Sequence, residues 1–179
     1  HRTRTDDPNV YTYGALMNAV GRAGDVETAM RILDSMELEQ GDQPNAVVYH
    51  SAVTAAANAA RPDLALRLLE RARDTGVRLT VVGYNAAVSA ASRACNWKLA
   101  VELLDKMLND DSLPNPDAVT YGTVMAACEK CGAWNQVLEF ADKMRDTNVS
   151  LDGMAITSAL HACQQLGLAQ RAMEYLELM

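Results

Sequence analysis

One short phrase recurs five times along this chain, and its spacing limits the possible folds more than any other feature. The phrase is an apolar residue, one further residue and then an anchor, as in Val47-Val48-Tyr49 and Val119-Thr120-Tyr121. The anchors are separated by 36, 35, 37 and 35 residues, and they are Tyr13, Tyr49, Tyr84, Tyr121 and Ile156. A fixed period of a few tens of residues is typical of stacked repeats. The pattern therefore predicts repeated units and not one globular core.

Each period predicts a pair of amphipathic helices, because small and apolar residues recur at helical spacing in two blocks. The second block carries a small residue and then usually Met, at Ala29, Ala65, Ala100, Val137 and Ala172 and at Met36, Ala72, Met107, Met144 and Met179. Breaks such as Gly24-Asp25 and Gly132-Ala133 separate the blocks, and Pro62 suits the first turn of a new helix. The first helices are predicted over 11–23, 47–60, 82–94, 119–131 and 154–166.

The predicted fold is all-α, an α-solenoid of stacked helix-turn-helix repeats with about five units, the last truncated. Its predicted boundaries are an N-terminal extension over 1–9, repeats over 10–45, 46–80, 81–117 and 118–152, and a partial repeat over 153–179. All of these belong to one solenoid domain. An apolar content of 49% in 179 residues is sufficient for a folded core.

Composition limits the class of protein further. Charged residues interrupt every apolar run before the roughly 20 residues that a membrane-spanning helix needs, so no span is predicted. The four cysteines lack the spacing of a secreted disulfide scaffold, and reduced thiols are expected. No signal or transit segment follows His1, and we expect that such a segment has been removed or that the chain is an excerpt.

The repeated phrase resembles that of the pentatricopeptide repeat family, whose units open with a Val-Thr-Tyr-Asn type phrase. Asp117-Ala118-Val119-Thr120-Tyr121, with Pro116 before it, is a close match, and the resemblance extends from about Pro8 to Met179. Tetratricopeptide repeats, which bind peptides, are the alternative. That family expects Gly at a first-helix position which here holds larger side chains, namely Met17, Val53, Val88, Met125 and Leu160.

The resemblance implies that single-stranded RNA lies along the first helices, with one base read per unit by two side chains. The implied reading pairs are Gly14 with Asn45, His50 with Thr80, Asn85 with Asp117, and Gly122 with Asp152, while Thr157 has no second member. The family's code assigns uracil to the pair of Asn85 and Asp117. Asp152 favours a base with a ring N–H, and Asn45 favours adenine or cytosine. Gly14, His50 and Gly122 depart from the family's usual Asn, Thr or Ser.

The resemblance also implies two further kinds of contact. Apolar residues two positions before each anchor would sandwich the bases, and these are Tyr11, Val47, Val82, Val119 and Met154. Basic residues in one slot of three units would contact phosphate, and these are Arg22, Arg93 and Lys130.

The formal net charge of −7 argues against nucleic acid, since phosphate binding depends largely on Lys and Arg. The predicted first helices nevertheless contain those three basic residues and only one acidic residue, Glu129. This distribution favours a nucleic-acid face. The alternative is that helices packed between neighbours are poor in charge of either sign.

Simpler interpretations exist for most of the other candidates. Asn9, Asn45, Thr80, Asp117 and Asp152 are also good helix N-caps. The anchors, with Trp97 and Trp134, are interpreted as packing residues. Cys128 and Cys131 resemble half of a zinc site, but a structural site needs four ligands, so no metal or other cofactor is expected.

The sequence predicts no enzyme, because neither His50 nor His161 belongs to a recognisable catalytic arrangement. The expected function is single-stranded RNA binding in organellar RNA processing, stability or translation, in a mitochondrion or plastid as the family implies. The alternative is an architectural subunit that binds protein subunits of a large organellar complex.

Overall fold

The computed structural model describes residues 10–38, 43–147 and 149–177, and within them every regular element is an α-helix. The helices are α1 (Val10–Ala23), α2 (Val26–Leu38), α3 (Ala46–Asn58), α4 (Pro62–Asp74), α5 (Val81–Arg93), α6 (Trp97–Asn109), α7 (Ala118–Lys130), α8 (Trp134–Asp146), α9 (Gly153–Leu166) and α10 (Ala169–Leu176). The odd-numbered helices are the predicted first helices, and their ends lie within two residues of the predicted ends. None of the described helices is both long and apolar enough to cross a membrane.

Short polar side chains begin three of the first helices, as their capping propensity predicts. Asn45 Oδ1 accepts hydrogen bonds from the N–H groups of Val47 and Val48 at 3.0 and 3.2 Å. Asp117 forms a reciprocal capping box with Thr120, and Asp152 Oδ1 accepts from the Ala155 N–H at 2.8 Å. A cap of this kind contributes about 1 kcal/mol. The caps therefore set where these helices start.

The first helices end at one backbone position with a positive φ angle, eleven residues after each anchor. Three of the five residues there are glycine, which adopts this conformation without strain, and the whole set is Gly24, Ala60, Cys95, Gly132 and Gly167. Ala60 and Cys95 have φ angles of 52° and 54°. A side chain in this region costs about 1 kcal/mol, so these two turns are held by the packing around them.

The chain divides into two compact units, His1–Ala90 and Ala91–Met179. In the first unit, α1 packs against α2 and α3, and α3 packs against α2 and α4. α1 and α3 approach each other closely at Gly21 of α1, where an added Cβ would be 2.7 Å from the carbonyl oxygen of Ser51. Asn58 Nδ2 also donates to the Gly21 carbonyl at 2.9 Å. The backbones of α1 and α3 are therefore in close contact at this point.

A polar network joins the anchor Tyr49 of this unit to the second helices. The Tyr49 hydroxyl donates to Glu37 Oε1 at 3.1 Å and lies 3.3 Å from Thr75 Oγ1. Arg71 donates to both oxygens of Glu37 and to Asp34, at 2.7 to 2.8 Å. The hydrogen bonds from Arg71 lower the pKa of Glu37. Arg71 thus holds the charged carboxylate of Glu37 in hydrogen-bond contact with the hydroxyl of the buried Tyr49.

In the second unit, α7 packs against α6, α8 and α9, and α9 also packs against α8 and α10. Its anchor Tyr121 is fully buried, but its hydroxyl has no hydrogen-bond partner among the described residues. The sequence explains the difference from Tyr49. Glu37 stands eight residues after Ala29, and Leu108 stands eight residues after the equivalent Ala100. The acceptor is therefore replaced by a hydrocarbon side chain.

This difference predicts opposite effects of one substitution at the two anchors. Tyr49→Phe should lower the free energy of unfolding by about 1 to 2 kcal/mol, because it removes a hydrogen bond to a carboxylate. Tyr121→Phe should raise it by about 1 kcal/mol, because it removes a buried hydroxyl that nothing satisfies. Urea denaturation of the two variants measures both changes. Equal destabilisation by both substitutions would contradict this account of Tyr121.

Candidate nucleic-acid interface

The residues two positions before the anchors expose large apolar side chains to solvent. Val47 is 60% exposed and Val82 is 61% exposed in the first unit, and Val119 is 62% and Met154 is 76% exposed in the second. Tyr11, the remaining residue of this set, lies outside the side chains that the structure describes. Exposed apolar residues at one register of a repeat indicate a binding surface, since scattered surface residues would show no register. We call these four side chains the apolar row.

Four of the five anchors are buried, as the sequence predicted for packing residues. Tyr49 and Tyr121 are fully inaccessible, Tyr13 is 9% exposed and Ile156 is 3% exposed, while Tyr84 is half-buried. Residues two apart on an α-helix point about 200° away from each other. A buried anchor therefore turns the residue two positions earlier towards solvent, and the phrase specifies both the core and the apolar row.

Three of the predicted base-reading residues are the N-caps already described. Asn45 commits its amide oxygen to α3, so the group it offers to another molecule is the amide N–H₂. Asp117 Oδ1 accepts from both the N–H and the Oγ1 of Thr120 at 2.9 Å. Asp152 begins α9 and is exposed. Capping explains why these residue types occur here, and it also holds each side chain at the start of a first helix.

The predicted pair of His50 and Thr80 is in direct contact within the first unit. His50 Nε2 lies 3.2 Å from the Thr80 N–H nitrogen and 3.4 Å from Thr80 Oγ1. Burial lowers the pKa of His50. The neutral ring is therefore the form present at neutral pH.

The remaining reading positions differ in how much side chain they present. A Cβ added to Gly14 or to Gly122 would meet no heavy atom within 4 Å, so both positions face open space. Thr157 is exposed, and its hydroxyl donates to the Gly153 carbonyl at 2.7 Å. Asn85 is half-buried in α5. In two units the predicted reading position is therefore open and has no side chain in it.

The three predicted phosphate-contacting residues are exposed near the ends of first helices, where Arg22, Arg93 and Lys130 occupy one slot of α1, α5 and α7. None of them forms an ion pair with a residue that the structure describes. The same slot holds Asn58 in α3 and Gln165 in α9. The cations are thus available to an anion from outside the protein.

Glu129 is the single acidic residue in the first helices, all of which lie within the described residues, and it belongs to a side-chain cluster in the second unit. Its carboxylate lies 2.6 Å from His161 Nδ1 and accepts from Ser158 Oγ at 2.9 Å. The ring of Trp134 lies 5.1 Å from that of His161. This cluster was not predictable from the sequence, because it depends on the rotation of α9 against α7. Its effect is to direct the carboxylate of Glu129 into contacts with α9.

Cys128 and Cys163 are buried, as expected for small core residues in equivalent slots, whereas Cys95 and Cys131 are exposed. All four cysteines are free thiols. The part of the chain that the structure describes contains no group of three or more His, Cys, Asp or Glu side chains placed to hold a metal ion.

Comparison with known proteins identifies the fold. Residues 2–179 match the family described as the pentacotripeptide-repeat region of PRORP. The pentatricopeptide repeat protein PPR10 from maize is similar in structure, with a TM-score of 0.80 and 18% identity over 98% of this chain and 25% of that chain. PPR10 in complex with an 18-nt psaJ RNA element has a TM-score of 0.70 and 25% identity over 94% of this chain and 24% of that chain. This chain thus spans about a quarter of PPR10.

A third similar structure is the PPR domain of Arabidopsis thaliana protein-only RNase P 1 in complex with tRNA. Its TM-score is 0.76 and its identity is 14%, over 91% of this chain and 84% of that domain. No curated protein sequence matches the chain. The predicted fold class, an α-solenoid of helix pairs, is confirmed by these structures. By the family match over residues 2–179, the chain belongs to the pentatricopeptide repeat family.

Proposed function

We propose that this chain binds single-stranded RNA along the first helices of its repeat units, by occupancy and without catalysis. The observation that carries the proposal is the apolar row, in which four side chains at one register are 60% to 76% exposed. Packing a base against such a side chain removes apolar surface from water, which contributes roughly 25 cal/mol per Å² buried. A protein that did not use this row would expose the same apolar surface to water four times without benefit.

The charge distribution supports the proposal. The exposed cations of the first helices lack ion-pair partners among the described residues, whereas several cations of the second helices have one, as in Lys106 with Glu102 and Lys143 with Glu139. Neutralising phosphate releases counterions and gives binding that falls with salt. Arg22, Arg93 and Lys130 would supply this contribution in three units.

The family's code extends the proposal to bases. It assigns uracil to the sequence pair of Asn85 and Asp117, and Asp152 favours a base with a ring N–H. The capped Asn45 offers N–H₂ donors, which supports adenine or cytosine in its unit. The repeat boundaries predicted from the sequence are part of this proposal.

Similar structures of PPR10 and of protein-only RNase P 1 contain RNA, and we propose that this chain acts on organellar transcripts, in a mitochondrion or plastid.

The test is binding of a uridine-containing oligomer as a function of salt, measured by fluorescence anisotropy. Arg93→Glu should weaken binding about tenfold at low salt and should make the salt dependence shallower, because one phosphate contact is lost and a repulsion is added. Arg67→Glu is the matched control, since Arg67 is an exposed arginine on the second helix α4. Equal effects of the two substitutions, or none from Arg93→Glu, would count against the RNA face.

A second candidate function is that of an architectural subunit that binds protein subunits of a large organellar complex. The open positions at Gly14 and Gly122 favour it, because they present no side chain to read a base. The net charge of −7 favours it as well. Such a subunit should co-purify with its assembly after nuclease treatment and give no RNA crosslink. An RNA crosslink at Asn85 or Arg93 would favour the first function.

A further inference from the structure

The contact between His50 and Thr80 fixes the orientation of an imidazole ring at a reading position. A backbone N–H is a donor and cannot accept, so the His50 Nε2 that it approaches at 3.2 Å must carry a lone pair. The Thr80 hydroxyl, 3.4 Å from the same nitrogen, donates to that lone pair too. The neutral ring then carries its single hydrogen on Nδ1. Thr80 therefore selects one tautomer of His50.

Gly83 provides the space that this orientation needs. A Cβ at Gly83 would lie 2.8 Å from His50 Cδ2 and 3.2 Å from Nε2, so an alanine would displace the ring. The other units have Thr12, Val48, Thr120 and Ala155 at this position. Glycine thus occurs in the unit that directly follows the histidine, where a side chain would collide with it. The Cδ2–Nε2 edge of the ring is enclosed by Gly83 and Thr80.

The opposite edge of the ring carries Nδ1, for which the described residues provide no hydrogen-bond partner. Among the described residues, the Tyr121 hydroxyl is the only buried side-chain nitrogen or oxygen without a partner, so the unpartnered Nδ1 of His50 is accessible to solvent. A single N–H group at a reading position is a donor only. It pairs with a ring nitrogen that has a lone pair and is repelled by a ring N–H. Adenine and cytosine have such an acceptor at the centre of the Watson–Crick edge, whereas uracil and guanine have a ring N–H there.

We propose that His50, held by Thr80 and accommodated by Gly83, is a base-selecting residue that favours adenine or cytosine over uracil or guanine through its Nδ1–H. The inference rests on the proposed RNA function and deepens it for one unit. Burial lowers the pKa of His50 and so supports the neutral ring. The selectivity is opposite to that of a carboxylate, which accepts a ring N–H.

The test uses the whole chain and uridine heptamers that carry adenine, cytosine or guanine at one position at a time. At one position of the series, oligomers with adenine or cytosine should bind about tenfold more tightly than those with uracil or guanine. Adenine and cytosine would accept a hydrogen bond from Nδ1–H, whereas uracil and guanine would place a second donor against it. His50→Phe should abolish this preference, because it removes the Nδ1–H donor. His50→Asp should reverse it, because an acceptor replaces the donor.

Two controls separate a reading role from a general loss of structure. His161→Phe removes the other histidine of the first helices and should leave the preference unchanged. Gly83→Ala should reduce the preference without touching His50 itself. In the free protein, the chemical shifts of the ring nitrogens should show hydrogen on Nδ1 and a lone pair on Nε2.

The outcomes distinguish this inference from the proposed function. If the chain binds the heptamers in a salt-dependent manner and His50→Phe leaves the base preference unchanged, the base-selecting role is wrong and RNA binding stands. If no heptamer binds, the proposed function fails and the base-selecting role fails with it. Finding the hydrogen on Nε2 of His50 would by itself overturn the role. The ring N–H would then face the backbone N–H of Thr80, and two donors cannot form a hydrogen bond.

Discussion

Gly21→Ala is expected to lower the free energy of unfolding by about 2 to 3 kcal/mol, the upper range for one inserted methyl group. The added Cβ would lie 2.7 Å from the Ser51 carbonyl oxygen and 3.5 Å from its carbonyl carbon. Both atoms are backbone, so no side-chain rotation relieves the clash. α1 and α3 must move apart, and the hydrogen bond from Asn58 to the Gly21 carbonyl is disturbed as well. Chemical denaturation followed by circular dichroism measures the change.

Gly14→Ala is the matched control, because Gly14 lies in the same helix and a Cβ there meets no heavy atom within 4 Å. Replacing a glycine in a helix by alanine stabilises by about 1 kcal/mol when the space is open. The two variants should therefore shift the denaturation midpoint in opposite directions. A stabilised Gly21→Ala protein would show that the contact between α1 and α3 is not close.

The sequence predicted those parts of the fold that depend on periodicity. The anchors specify a buried face, the residues two positions earlier specify the exposed row, and polar caps mark where helices begin. Each of these follows from the geometry of a single helix, repeated five times. For this reason the first-helix ends agree within two residues, and Tyr49 and Val47 have opposite exposures.

Features that depend on how two helices rotate against each other were not predictable. Nothing local marks Gly21 as a contact residue, since Gly14 in the same helix faces open space. The pairing of Glu129 with His161 joins residues on α7 and α9. The two residues occupy different positions within their repeat units, so the repeated pattern does not predict their contact. The turns at Ala60 and Cys95 adopt the left-handed conformation although neither residue favours it. In each case tertiary contacts outweigh the local preference.

The same distinction, between features set by one helix and features set by packing between helices, applies to the candidate site. The apolar row and the cations could be placed by register alone, because each is one side chain on one helix face. The hydrogen-bonding groups that a proposed reading residue presents depend on its neighbours. His50 is an example, because its proposed tautomer is set by Thr80, a residue thirty positions later in the chain. Sequence position therefore places the proposed reading residues, and packing decides which hydrogen-bonding groups each of them leaves accessible.

Gly122→Asn is expected to increase affinity for a uridine oligomer about thirtyfold, the effect of one added base contact of about 2 kcal/mol. With Asp152 as its partner, the new side chain reproduces in sequence the pair of Asn85 and Asp117, to which the family's code assigns uracil. The structure provides the room, because a Cβ at Gly122 meets no heavy atom within 4 Å. Asp152 is already held at the start of α9 by its bond to the Ala155 N–H. Competition between uridine and cytidine oligomers measures the gain and its selectivity.

Gly14→Asn is the contrasting variant, because its partner Asn45 offers N–H₂ groups where Asp152 offers a carboxylate. It should increase affinity for oligomers that contain adenine or cytosine and leave affinity for the all-uridine oligomer unchanged. Gly122→Ala separates base reading from helix stabilisation, since it fills the same space without a polar group. If Gly122→Ala and Gly122→Asn raised uridine affinity equally, the gain would come from a stiffer α7, and the reading role of this position would be wrong.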